Sequence, residues 1–110
     1  MSYNLYGWNA LVQNPWKAEN VYKAIRNVQP DILGAQECEG REHDVAANIG
    51  SDYAVAGAAS AGHSIIYRTS VFTLDGHGTQ QLNEMDQYGP VRLILSLYIK
   101  LGVLLLLGVI

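Results

Sequence analysis

Apolar positions along the first third of the chain repeat with a period of two, then of nearly four, then of two again. Ser2-Tyr3-Asn4-Leu5-Tyr6 alternates and is rich in aromatic side chains, which predicts a short strand. Residues 7–13 show no period and read as a loop. Asn14-Pro15 signals a helix start, with Asn as the cap and Pro at the first helical position. Val21, Ala24, Ile25 and Val28 follow at helical spacing and give that helix one apolar face. Pro30 stops it, and residues 32–38 form the next strand, an apolar run that emerges at Gln36-Glu37. Strand, helix and strand in this order make a βαβ-like unit whose strand pairing the sequence leaves open.

The remainder mixes both element types, so the fold class is α+β. Residues 41–48 read as a short helix ended by Gly50. Segments 53–57, 64–68 and 71–74 are β-type, and the small residues of 54–62 are packing or loop. Residues 75–89 are polar and show little pattern, and 91–100 return to strand-like character. No internal repeat is visible.

Bulk properties narrow the picture. A chain of 110 residues is one domain at most, or part of a larger one. At 49% hydrophobic and 15% charged residues it is poor in charge for a small domain, which suggests surfaces meant to pack against something. Unpaired sheet surface of that kind predicts self-association. The net charge of −3 and the lack of a Lys or Arg run give no signature of nucleic-acid binding by counterion release, although a metal ion bridging to phosphate would make such a charge tolerable. With Cys38 as the single cysteine, no intrachain disulfide forms, and a small buried filler is its expected role. No signal peptide opens the chain, and localisation stays unassigned. Residues 93–110 approach the length of a bilayer span, roughly 20 residues. Lys100 near their middle disfavours a membrane anchor. The preferred readings of this stretch are a core strand followed by an aberrant apolar tail, or a strand awaiting partners. The expected division is therefore 1–97 as a partial domain and 98–110 as the tail.

The candidate chemistry sits at the strand ends. A carboxylate where a buried strand emerges is costly without a partner, and a hard cation such as Mg²⁺ is one. Glu37 is that carboxylate. Asn4 lies at the equivalent end of the first strand, and a connecting helix lets the two converge; Asn orients a ligand, a metal-bound water or a phosphate oxygen. His43, His63 and His77 read as surface or loop residues. Tyr3, Tyr6, Trp8 and Trp16 are open to a base-stacking reading, with core and loop packing preferred.

Ser2-Tyr3-Asn4-Leu5-Tyr6 and Pro30-Asp31-Ile32-Leu33-Gly34-Ala35-Gln36-Glu37, with a helix between them, resemble the endonuclease/exonuclease/phosphatase superfamily. Gly62-His63-Ser64-Ile65-Ile66-Tyr67-Arg68, with Val71-Phe72 beyond, is similar to the next core strand pair of that family. The resemblance covers roughly residues 2–97. It implies the N-terminal portion of a four-layer α/β/β/α sandwich and Mg²⁺-dependent hydrolysis of a phosphate ester, with the metal polarising the phosphoryl group and water attacking in line. It makes Asn4 the active-site asparagine of the first strand and Glu37 the metal ligand of the Gln-Glu motif. The family's Asn-Thr-His-Leu-type segment, its Asp-x-Asn segment and its terminal Asp-His pair have no match here. A phosphoester hydrolase of truncated form and weak or no activity is the expectation, its substrate unassigned. A non-catalytic relative or a membrane-tethered binding module is the alternative.

Overall fold

The computed structural model describes residues 1–56 and 63–76 with their side chains, and beyond them the backbone of strands within 78–109. Strand β1, Ser2–Asn4, is followed by a π-helical segment, Trp8–Gln13, a 3₁₀ turn, Pro15–Lys17, and helix α1, Ala18–Val28. Strand β2, Ile32–Gln36, then leads to helix α2, Glu42–Ile49, and strands β3, Tyr53–Val55, and β4, His63–Arg68. These four strands form one mixed sheet in the order β1-β2-β4-β3. β1 and β2 run parallel, as a helical crossover requires, and the other pairs are antiparallel. The fold class is α+β.

Asn14 starts the helical stretch, but not by side-chain capping. Its side-chain amide donates to the Asn9 carbonyl at 2.9 Å, so it closes the π-helical segment while Pro15 opens the next turn. The loop expected over residues 7–13 is therefore largely helical. Helix α1 buries Val21 and Ile25 as spaced, whereas Val28 is exposed, and Ala18 and Tyr22 take its place against the core. Gln29 ends the helix in the left-handed region, φ +51°, its N–H on the Ile25 carbonyl.

One sheet face packs Leu33, Ala35 and Ile66 against Val21, Ile25, Val45 and Ile49 of the helices. Full burial of such side chains contributes about 1.5–3 kcal/mol each. The other face carries Ile65 and Tyr67, which cluster with Ala56 and Phe72. Ile65-Ile66-Tyr67 of β4 run apolar without alternation because the strand is central, with β2 and β3 on its flanks and side chains buried on both faces. At its C-terminal end Arg68 pairs with Asp31 at 3.1 Å and Asp52 at 3.6 Å, and donates to the Gln29 carbonyl and the Tyr53 hydroxyl.

Strand β5, Phe72–Thr73, pairs with β8, Tyr98–Ile99; β6, Gly78–Asp86, pairs with β7, Gly89–Leu95, which pairs in turn with β9, Leu107–Val109. A nine-residue strand thus replaces the unpatterned segment expected over 75–89. Part of the apolar stretch 93–110 is β-structure, and among the described residues no helix is long and apolar enough to cross a membrane. Lys100, His77 and residues 57–62 lie outside the described residues.

Candidate functional site at the ends of two parallel strands

The parallel register pairs Asn4 with Gln36, so β1 and β2 end side by side. Beyond that pair two further backbone hydrogen bonds tie the two chains before they diverge. Leu5 N–H donates to the Gln36 carbonyl at 2.9 Å, and Gly7 N–H donates to the Glu37 carbonyl at 3.0 Å. Between those contacts Tyr6 and Glu37 each turn through the left-handed region, at φ +49° and +53°. Such values are uncommon for residues with a Cβ. The turns throw both chains off the sheet at the same level, and they place the Asn4 and Glu37 side chains together.

Asn4 Nδ2 donates to Glu37 Oε1 at 3.0 Å, and Asn4 Oδ1 accepts from Tyr6 N–H at 2.9 Å. Both functions of the amide are thereby fixed, and its orientation follows from the network: the oxygen faces a backbone donor, and the NH₂ faces a carboxylate. Asn4 and Glu37 are solvent-exposed. Among the described residues no hydrogen bond reaches Glu37 Oε2. The two sequence-predicted site residues are therefore in direct contact.

The amide of Gln36 turns back along the sheet, donating to Ser2 Oγ at 3.1 Å and the Gly34 carbonyl at 3.2 Å. On its other side Gln36 pairs with His63 of β4. Asn4, Gln36 and His63 therefore form one transverse row on the same face of the sheet. His63 is buried, only 5% exposed, which corrects the expectation of a surface or loop residue. The apolar Ile65-Ile66-Tyr67 that follows it signals burial on both faces, and that signal extends back to His63. His43 is exposed, as expected.

Below the Glu37 turn the loop continues through Glu39 at φ +53° and Gly40 at +75° into α2. Cys38 is 1% exposed, its thiol directed to the Ala35 carbonyl at 3.5 Å. Burial first, then the neighbouring charges of Glu42 and Glu39, push the thiol up to about 12. Cys38 is thus an inert core residue rather than a nucleophile. Glu42 opens α2 and is 3% exposed, with Oε2 making no hydrogen bond among the described residues.

The donor set bears on which metal the pair fits. Among the described residues no three His, Cys, Asp or Glu side chains cluster as a cage. A tetrahedral zinc site is therefore not built from them. One open carboxylate oxygen at an exposed strand end fits a cation that keeps most of its water. Mg²⁺ behaves in this way, bound by one or two carboxylates plus substrate phosphate. Glu37 is the residue that fits as a ligand; Asn4 fits as its orienter, since its own oxygen is engaged by Tyr6.

At the far end of the sheet a cleft of about 410 Å³ is lined by Arg26, Arg68, Asp52 and Tyr53. Its guanidinium groups are already committed, Arg26 to Glu19 and the Asn48 carbonyl, Arg68 to Asp31 and Asp52. The cleft offers no free charge comparable to that of Glu37.

No protein-family model matches the sequence. No curated protein matches it either. Solved structures do match in fold. An endonuclease/exonuclease/phosphatase family protein from Bacteroides thetaiotaomicron aligns over 96% of this chain and 45% of its own, at 20% identity and a TM-score of 0.66. The chain has the endonuclease/exonuclease/phosphatase fold. A mannosyl-6-phosphatase from the same organism covers 96% of this chain at 18% identity and a TM-score of 0.67, over 48% of its own length. TDP2 from C. elegans covers 98% at 20% identity and a TM-score of 0.69, over 33% of its own length. The chain thus spans about half the length, or less, of these structures.

Proposed function

We propose that this chain carries the metal- and phosphate-holding corner of a phosphoester hydrolase of the phosphodiesterase, nuclease or phosphatase class. The observation that carries this reading is the 3.0 Å contact from Asn4 Nδ2 to Glu37 Oε1 at the adjoining ends of β1 and β2. The endonuclease/exonuclease/phosphatase fold supports it, and the likeness to a mannosyl-6-phosphatase supports a phosphate ester as the substrate class. In this reading Glu37 binds the cation through its open oxygen, with Mg²⁺ as the expected ion. Asn4 holds the carboxylate in one rotamer and screens one of its two oxygens. Bound there, the cation supplies Lewis-acid polarisation of a phosphoryl oxygen. The pair itself contributes no proton acceptor suited to activating water, so weak or absent turnover by this chain is part of the proposal.

The low charge content and the apolar stretch 93–110 support self-association, read out by sedimentation velocity over a range of concentrations. The site is tested by titrating Mg²⁺ while following the side-chain amide resonance of Asn4. Saturable shifts are expected, weakened about tenfold or more by Glu37→Gln, as for loss of groups that hold or orient a metal. Unchanged affinity in Glu37→Gln overturns the assignment.

A further inference from the structure

Three large aromatic side chains expected to pack are instead in solvent: Tyr6 is 63% exposed, Trp8 56% and Trp16 72%. Two of them flank the candidate site. Tyr6 N–H holds Asn4 Oδ1, and Gly7, between Tyr6 and Trp8, is bonded to the Glu37 carbonyl. Tyr6 adopts φ +49°, an outlying conformation for a bulky residue, and no burial of its ring offsets the strain. Strain of this kind concentrates at ligand clamps and active sites. Trp8 opens a π-helical segment, an arrangement frequent at functional sites. Trp16, by contrast, lies on a turn whose hydrogen bonds run to Asn9 and Asn14, not to Asn4 or Glu37.

Resting on the Asn4–Glu37 reading above, we infer that Tyr6 and Trp8 supply stacking faces for a planar aromatic group on the phosphoester. Tyr and Trp rings recognise π-faced groups by offset stacking, in a manner tolerant of ring identity. Tyr6 is two residues from Asn4, and Trp8 is one residue from the Gly7 anchored on Glu37. A phosphate drawn to a cation on Glu37 would therefore bring a ring one short linker away within reach. The net charge of −3 without a basic run favours a small ester over a polyanionic strand.

Trp8 and Trp16 are the chain's two tryptophans, so each can report alone. Trp16→Phe leaves Trp8 as the probe, and Trp8→Phe leaves Trp16. With Mg²⁺ present, each variant is titrated with adenosine 5′-monophosphate, phenyl phosphate and ribose 5-phosphate. Quenching of Trp8 by the two aromatic esters is expected, with Trp16 unmoved. Adenosine monophosphate should bind about tenfold or more tightly than ribose 5-phosphate, in line with stacking on one ring. Phenyl phosphate equal to the nucleotide assigns the surface to aromatic esters generally, and a weaker phenyl ester assigns it to nucleobases. Tyr6→Asn, a residue that tolerates left-handed φ, should weaken the two aromatic esters several-fold more than ribose 5-phosphate. Equal affinity for all three esters, or a response at Trp16 instead of Trp8, overturns the stacking surface and leaves the Glu37 reading intact. Failure of all three to bind with Mg²⁺ overturns both.

Discussion

The buried Gly7 lies so close to the Glu37 carbonyl that a Cβ built on it would sit 2.1 Å from that oxygen and 3.2 Å from the Cys38 carbonyl. The constraint is contact rather than conformation, because Gly7 has an ordinary φ of −59°. The two chains leaving β1 and β2 can approach this closely only if one of them has no side chain. That approach is what holds Glu37 beside Asn4.

Gly7→Ala should therefore damage the site and the fold together. Overpacking of a close backbone contact typically costs about 1–3 kcal/mol, and the obstacle here is backbone, which has little room to give. The measurement is urea unfolding, with the Asn4 side-chain amide resonance as local reporter. A lower midpoint and a displaced Asn4 resonance are expected. An unchanged midpoint would show that the loop relaxes freely and that the close approach is not required.

Glu42 should be a liability to stability. Its carboxylate is buried with Oε2 unsatisfied among the described residues, which costs about 1–3 kcal/mol or more for a charged group. Its place at the start of α2 returns only about 0.3–1 kcal/mol through the helix dipole. The burial penalty is the larger quantity. Glu42→Leu should raise the unfolding free energy by about 1 kcal/mol on this balance, and the urea midpoint with it. A marked loss of stability would mean that Glu42 serves a partner that compensates its burial.

Cys38 sets an alkaline limit on stability. Burial raises its folded pKa from 9.0 to about 12, so the thiol stays protonated in the fold while the unfolded chain ionises above about pH 9. The unfolded state then binds fewer protons, and stability falls as pH rises between those values. Below pH 9 the contribution is fully present. Cys38→Ala should flatten the decline of the melting temperature between pH 9 and 11. An equal slope in the variant would assign the alkaline loss to other groups. Aromatic disulfide reagents at pH 8 should label Cys38 only on unfolding, since it is 1% exposed.

Much of the strand–helix–strand frame was legible because punctuation residues mark it. Pro15 and Pro30 bound the helical stretch, and Val21 and Ile25 fix which side of α1 is buried. The meeting of Asn4 and Glu37 was legible because parallel strands joined by a crossover end at the same edge. Other features depend on contacts that no local pattern encodes. Gly7 looks like an ordinary loop glycine until the second strand lies beside it. Val28 fits the helical period but falls where Gln29 turns the chain away, so it stays in water. His63 was misread because its polarity outweighed the apolar run behind it, although its place in the central strand decides its burial. The strand over Gly78–Asp86 escaped because Thr79, Gln80, Gln81 and Asn83 mask any alternation of apolar residues.

The sharpest test of the proposed chemistry is a negative one. The 110-residue chain should hydrolyse bis(p-nitrophenyl) phosphate no faster than buffer containing Mg²⁺. Attack by water needs a group to accept its proton and an electrophile held in line with the leaving oxygen. In the proposed site Glu37 holds the cation and accepts from Asn4, and the amide of Asn4 is not basic. His43 is exposed on α2, and His63 is buried in the sheet two strands from Asn4. General-base assistance alone is worth about 10²- to 10⁴-fold in rate, so its absence should leave the Mg²⁺ background uncovered. Cation-dependent turnover that Glu37→Ala abolishes would overturn this prediction. If His63→Gln then lowered kcat at unchanged KM and removed the acidic limb of the pH profile, the transverse row Asn4, Gln36 and His63 would be the catalytic unit. If instead the rate rose with the square of protein concentration, a second copy of the chain would be supplying the missing base.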